Sequence, residues 1–170
     1  MRHIVSDTSC MIDLGKSSLV RTMLQLPYAF VMPDVLFEDE LLDFGPVHKR
    51  DLLTLGLQVM ELDGEGTTRA YGHFAQYRRL TLNDCFALAL AEQIENCILL
   101  TGDGTLRRTA AVRDIEVHGI LWVIDELERT HLATPQQLYE ALRLFEEDDL
   151  VFLPQEEIRK RIRHFQRRLR

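Results

Sequence analysis

One stretch limits the choice of fold more than any other: residues 80–111, LTLNDCFALALAEQIENCILLTGDGTLRRTAA. Thr81 is a good helix N-cap, and Asp84, three residues later, can accept backbone N–H bonds in the first turn. Phe86, Leu88, Ala89, Leu90 and Ala91 give the helix an apolar body that ends near Asn96. Residues 97–100 then run apolar without alternation, the pattern of a strand buried on both faces. Thr101-Gly102-Asp103-Gly104 follows as a sharp exit and leaves a carboxylate just past the strand's C-terminal end. Open parallel sheets bind their ligands at that edge. Asp84 at a helix start and Asp103 at a strand end are therefore candidates for a single site.

The rest of the chain repeats the alternation of strand and helix. Residues 3–6 read as a first strand that delivers Asp7, with helical patterns over 9–14 and 17–26. Residues 28–32 form a second strand stopped by Pro33, which also suits the first turn of the acidic helix 34–42. Gly45-Pro46 closes that helix, a short helix is expected over 47–55, and a third strand over 57–62. A turn at 63–66 leads to a polar, aromatic-containing helix over 67–79. A fifth strand over 114–118 ends at Gly119, and 120–128 is apolar enough for a buried helix. Thr134 caps a helix from Pro135 to about Glu147, and Pro154 opens a last, basic helix to Arg170. Short turns between alternating elements imply an α/β protein, a parallel sheet covered by helices on both faces.

At 170 residues, with no repeat, low-complexity segment or linker composition, the chain is expected to be a single domain, with 130–170 as a helical appendage. No stretch approaches the ~20 apolar residues of a membrane span. The N-terminus enters a strand pattern without the apolar segment of a signal peptide. The three cysteines, Cys10, Cys85 and Cys97, are odd in number and lie in apolar contexts, so buried reduced thiols and a cytoplasmic protein are expected. Charge is uneven. From Glu157 onward seven basic residues stand against one acid, so the residues before it carry a net −13 within the overall −7. The acidic body suits nonspecific nucleic-acid binding poorly; the basic tail could supply that affinity, dock on an acidic partner, or be a solvated helix.

Four acids occupy edge-type positions: Asp7 after strand one, Glu38 in the helix after strand two, Asp84 at a helix start and Asp103 after strand four. Each has an ordinary explanation. Asp84 completes a T-x-x-D capping box, Asp103 sits in a turn, Glu38 lies on an acidic face, and Asp7 can cap the next helix. Taken together they suggest more. If strands one and four are neighbours, Asp7 and Asp103 meet at a topological switch point. Several carboxylates there raise one another's pKa unless a cation sits among them. Oxygen-only ligation suits Mg²⁺ or Mn²⁺, which can activate water and neutralise a phosphodiester.

The order and spacing of these acids resemble the PIN domain, a metal-dependent ribonuclease fold found in many prokaryotic toxins. The resemblance covers about residues 1–126. IVSDTS is similar to the family's strand-ending acid and small hydroxyl residue, PDVLFEDEL to its proline-then-acid helix, and LNDCFALALA with ILLTGDGTLRRTA to its third and fourth acids. The resemblance implies an α/β/α sandwich with a five-stranded parallel sheet of order 3-2-1-4-5. It implies that Asp7, Glu38, Asp84 and Asp103 hold Mg²⁺ or Mn²⁺, with Glu40 the alternative to Glu38. Ser9 and Thr101 would orient carboxylates. Hydrolysis would leave a 5′-phosphate and a 3′-hydroxyl. The expected partners are an RNA substrate and, for a toxin, an antitoxin protein. VHGILWVIDEL resembles a subset of PIN proteins with appended helices.

Other features are less directive. Arg107 and Arg108 follow Asp103 and either reach a phosphate or face water. Tyr71, Phe74 and Tyr77 recur at three-residue steps, for core packing, a homodimer contact or base stacking. The six histidines show no zinc spacing. G-x-S-x-G, P-loop and G-x-G-x-x-G motifs are absent, which removes serine hydrolases, Walker-type NTPases and standard dinucleotide binders. A receiver-like or phosphatase reading lacks a strand-end lysine, since Lys16 and Lys49 fall in helix or loop positions. Two functions remain: a Mg²⁺/Mn²⁺-dependent ribonuclease acting on single-stranded RNA, with the toxin of a toxin–antitoxin pair as one form of it, or a non-catalytic RNA- or protein-binding module on the same fold.

Overall fold

The sequence RHIVS buries Ile4, Val5 and Ser6 completely, and such a strand needs neighbours on both edges and cover on both faces. It is β1 (Arg2–Ser6), the centre of the sheet in the computed structural model, which describes residues 1–41 and 48–169. β2 (Tyr28–Pro33) pairs along one edge with Ile4 opposite Phe30. β4 (Ile98–Leu100) pairs along the other with Val5 opposite Leu99. β3 (Gln58–Met60) and β5 (Glu116–His118) close the edges, giving the order β3-β2-β1-β4-β5 with every pairing parallel. This is the expected order. The edge strands are three residues long and partly exposed, and short edges offer little backbone to other chains.

Ten helices complete the described chain: α1 (Thr8–Lys16), α2 (Val20–Met23), α3 (Asp34–Asp39), α4 (Lys49–Thr54), α5 (Gly64–Gln76), α6 (Leu82–Gln93), α7 (Gly104–Ala111), α8 (Ile120–Arg129), α9 (Pro135–Glu147) and α10 (Gln155–Arg168). The helix expected over 17–26 shrinks to the single turn of α2, because Ser18 takes a left-handed conformation with φ 60°. The turn expected over 63–66 is instead the start of α5. Asp63 caps it, its carboxylate accepting from the Gly66 N–H at 2.6 Å. α6 stops at Gln93 rather than Asn96, which is left-handed at φ 54°. Asp114, at φ 57°, likewise delays β5 to Glu116. The expected helix end near Leu42, the Gly45-Pro46 stop, the start at Val47 and the final Arg170 lie outside the described residues.

α6 buries every residue from Cys85 to Ala91, so it is an interior helix, with α5 and α3 packed against it as well as the sheet. One continuous apolar core runs from Ile4 to Phe165 and takes in Leu138, Leu142 and Phe145 of α9 and Ile158 of α10. The three cysteines are free and buried, and burial pushes the Cys85 and Cys97 thiols up to about 11. The basic last helix finds part of its acidic counterpart within the chain. Arg161 bonds Asp125 at 2.6 Å and Glu157 at 2.7 Å, His164 reaches Glu128 at 2.6 Å, and Arg168 also reaches Glu128. No helix among the described residues is long and apolar enough to cross a membrane.

Phe165 is buried against the rest of this core. Phe165→Ala is therefore expected to lower stability by about 3–5 kcal/mol in urea denaturation. A loss below about 1 kcal/mol would mean that α10 does not share the core.

Candidate active site

The pairing of β1 with β4 brings two strand ends together. The Asp7 N–H donates to the Leu100 carbonyl at 3.0 Å, extending the parallel ladder one step past Ser6. Asp7 then caps α1, its Oδ1 accepting from the Cys10 N–H at 3.0 Å and the Ser9 hydroxyl at 2.8 Å. The Thr101 hydroxyl donates to Asp7 Oδ2 and accepts from the Asp103 N–H at 3.0 Å. Asp103 in turn caps α7, accepting from the Leu106 N–H at 2.6 Å. One threonine hydroxyl thus ties the two strand-end acids to each other.

Asp84 reaches the same edge from α6. It forms a complete capping box, with the Thr81 N–H donating to Asp84 Oδ2 at 2.7 Å and the Asp84 N–H donating to the Thr81 hydroxyl at 3.1 Å. The ordinary capping explanation and the shared-site explanation hold together for these acids. Three helices, α1, α6 and α7, begin with a carboxylate, and their partial positive ends moderate the local negative charge.

That compensation is incomplete. Burial lifts the Asp7 pKa above its ordinary 3.8 against the bonds from Thr101, Cys10 and Ser9, and the charge of Asp84 raises it further. Asp84 is lifted mainly by desolvation and secondarily by the charges of Asp103 and Glu40. Of the two acids considered on α3, Glu40 at its C-cap is the one whose charge Asp84 senses. Glu38 is exposed and reaches Lys49 Nζ at 3.4 Å.

Among the described residues, no three histidine, cysteine, aspartate or glutamate side chains stand close enough to hold a metal ion as placed. The donor chemistry nevertheless fits a hard divalent ion. Every candidate donor is a carboxylate oxygen, two of the carboxylates carry raised pKa values, and the buried Thr8 hydroxyl beside Asp7 has no hydrogen-bond partner. Three of the histidines are engaged elsewhere. His73, His118 and His164 each face one carboxylate, Glu92, Glu116 and Glu128 respectively.

Beside the acids lies a groove of about 850 Å³, lined by Ser9, Asp103, Arg107, His118, Trp122 and Phe152 among others. Arg107 leans into it and donates to the Thr101 carbonyl at 3.1 Å, whereas Arg108 turns to the Thr105 hydroxyl at 3.3 Å. Gly119 makes room for this arrangement, since a Cβ there would lie 2.8 Å from an Arg107 guanidinium nitrogen. The His118 and Trp122 rings stack at 4.4 Å. The aromatic positions of α5 do not form one stripe. Tyr71 and Phe74 are exposed, but Tyr77 is held by Arg113 at 2.9 Å. Sequence reasoning missed Leu150 and Phe152, because no local pattern announces that the loop before α10 folds back to the sheet edge.

A family model, DUF3368, described as a PIN domain, matches residues 3–167. The chain belongs to the PIN-domain family. PIN domains are generally nucleases and typically use divalent metal ions, so the chain has a nuclease-like fold. The match extends the resemblance read to residue 126 through α9 and nearly all of α10, so these helices are part of the family pattern. No curated protein matches the chain.

Thr101 is the polar link whose loss tests this PIN site directly. Thr101→Val leaves Asp7 Oδ2 and the Asp103 N–H without their partner and is expected to cost about 1–3 kcal/mol. It also removes a bond that favours the Asp7 carboxylate, so the Asp7 pKa rises further, as a carboxyl titration followed by NMR would show. An unchanged Asp7 titration would remove Thr101 from the site.

Proposed function

We propose that this PIN-domain chain is a Mg²⁺- or Mn²⁺-dependent endoribonuclease that hydrolyses phosphodiester bonds of single-stranded RNA. The observation that carries the reading is the Thr101 hydroxyl that ties Asp7 to Asp103 at the adjacent C-terminal ends of β1 and β4, with Asp84 at the start of α6 near enough for its charge to act on Asp7. Asp7, Asp84 and Asp103, with Glu40 or Glu38 from α3, would hold the ion. When bound, it supplies a water of lowered pKa and offsets charge on the phosphodiester. Ser9 and Thr101 fix the orientation of Asp7. Lys160, Arg163 and Arg167 are exposed on α10 at spacings of three and four, so they share one helix face and suit a polyanion.

Purified protein with Mn²⁺ is expected to cut single-stranded RNA, and Asp7→Asn or Asp103→Asn to lower the rate at least about 100-fold. Retained cleavage in both variants would sink the site. Comparing Glu40→Gln with Glu38→Gln assigns the α3 acid, with the larger loss expected for Glu40. As a toxin, the protein would arrest growth on induced expression, and Asp7→Asn would relieve the arrest.

The metal and pH responses have fixed signs. Mn²⁺ is expected to stabilise the wild type by about 2.7 kcal/mol at a hundredfold excess over Kd, and Asp7→Asn much less, in thermal melts. Folding raises the Asp7 and Asp84 pKa values, so the native state binds more protons than the unfolded chain just above 3.8. Metal-free stability attributable to these groups therefore falls as pH rises through that window and is flat above the raised values. Activity moves oppositely, rising with pH on its acid side, since protons compete with the ion for these carboxylates. A non-catalytic RNA-binding module is the second reading, favoured by the lack of three acids at ligating distance among the described residues. Metal-dependent stabilisation without turnover on any RNA would select it.

A further inference from the structure

The groove beside the acids has four walls from four parts of the chain. Ser9, Cys10 and Asp13 come from α1, and Asp103, Gly104 and Arg107 from the β4–α7 segment. His118 to Trp122 come from the β5–α8 junction, and Leu150, Phe152, Leu153 and Pro154 from the loop between α9 and α10. At about 850 Å³ it falls within the size range of sites that take small organic groups. Its one lysine or arginine is Arg107, half-buried and anchored through one nitrogen to the Thr101 carbonyl, with no other hydrogen-bond partner among the described residues.

Two of the walls are aromatic. Tyr28 lies against Trp122 with ring centroids 5.6 Å apart, and Trp122 stacks on His118 at 4.4 Å with only 10° between the planes. The run of rings begins under α8 and ends at the groove. From another wall Phe152 contributes a ring that is 86 % exposed, with Leu150 beside it at 74 %. An 86 % exposed phenylalanine adds little to the core of this chain. A groove lined by this ring, the His118–Trp122 pair and the Arg107 guanidinium suits a ligand that is flat and apolar at one end and anionic at the other.

We propose that this groove is a base-binding subsite. It would take one unpaired nucleotide of the RNA next to the scissile bond, with the base against Phe152 and the His118–Trp122 pair and the phosphate on Arg107. The inference rests on the ribonuclease reading for its substrate class, and it gives the α9–α10 loop a role in substrate selection. A paired base is excluded from the subsite, because its faces are covered by its neighbours in the helix. The apolar end could instead hold a protein segment, but such an occupant would not require unpaired bases. The Arg107 guanidinium in the groove, beside Asp103, favours the nucleotide.

Trp122 is the only tryptophan in the chain, so its emission reports entry into the groove without any turnover. Oligoadenylate titrated into the metal-free protein in EDTA is expected to quench that emission saturably. The same strand annealed to oligouridylate is expected not to. Phe152→Ala, at an 86 % exposed position where truncation is expected to leave the fold intact, should weaken oligoadenylate binding about tenfold and raise KM with little change in kcat. Arg107→Gln should reduce the salt dependence of binding by about one phosphate contact. Unaltered Trp122 emission at saturating RNA, or wild-type affinity in Phe152→Ala, overturns the subsite. So does a Phe152→Ala variant that binds RNA normally but loses association with itself or a protein partner in sedimentation. The two readings fail separately. Cleavage abolished by Asp7→Asn with normal RNA affinity in Phe152→Ala removes only the subsite, and Trp122 quenching without cleavage removes only the catalysis.

Discussion

The parallel pairing of β1 with β4 is the constraint on which the rest depends. β1 and β2 are joined on one side of the sheet, whereas β4 returns on the other, so the chain reverses its winding between β1 and β4. Loops leaving two adjacent strands in opposite directions open a crevice at their C-terminal ends. Val5 lies opposite Leu99 and Ser6 opposite Leu100, which leaves Asp7 and Thr101 as the first residues past the ladder. A shift of one residue in that register would separate the acid from the hydroxyl that holds it.

The crevice is built from groups that would otherwise be structural. Asp7, Asp84 and Asp103 cap or box the first turns of α1, α6 and α7, and each thereby satisfies backbone N–H groups that a helix start leaves unpaired. The same three carboxylates concentrate negative charge. Helix dipoles and the Thr101 and Ser9 hydroxyls hold the charge in place, yet burial still lifts Asp7 and Asp84 above the usual aspartate value. Capping explains why the acids are rigid. The raised pKa values explain why a divalent cation would be welcome among them.

The last two helices relate to the body through charge as well as packing. α8 presents Asp125 and Glu128, and α10 answers with Arg161, His164 and Arg168. Part of the acid–base asymmetry in the chain is thus settled internally, while Lys160, Arg163 and Arg167 stay on the outer face. Apolar burial of Phe145 and Phe165 anchors the pair, and the loop joining them lies against the crevice. Edge charges of this kind add little stability singly, so the apolar contacts hold the helices down and the ion pairs set their orientation.

The sequence by itself determined the fold class, the strand order through its family resemblance, and the positions of Asp7, Asp84 and Asp103 at element starts. These follow from local signals, such as an unbroken apolar run for a strand covered on both faces, a capping residue before a helix, and a glycine-flanked acid at a strand end. It put Glu38 ahead of Glu40 but could not show how α3 packs, which leaves Glu38 exposed beside Lys49 and lets the charge of Glu40, at the helix C-cap, reach Asp84. Nor did it show that Thr101 bridges Asp7 and Asp103, or that Phe152 stands at the groove. Those contacts join residues far apart in the chain. Local propensity carries no information about them, and they exist only once the sheet and the final helices have closed around a common core.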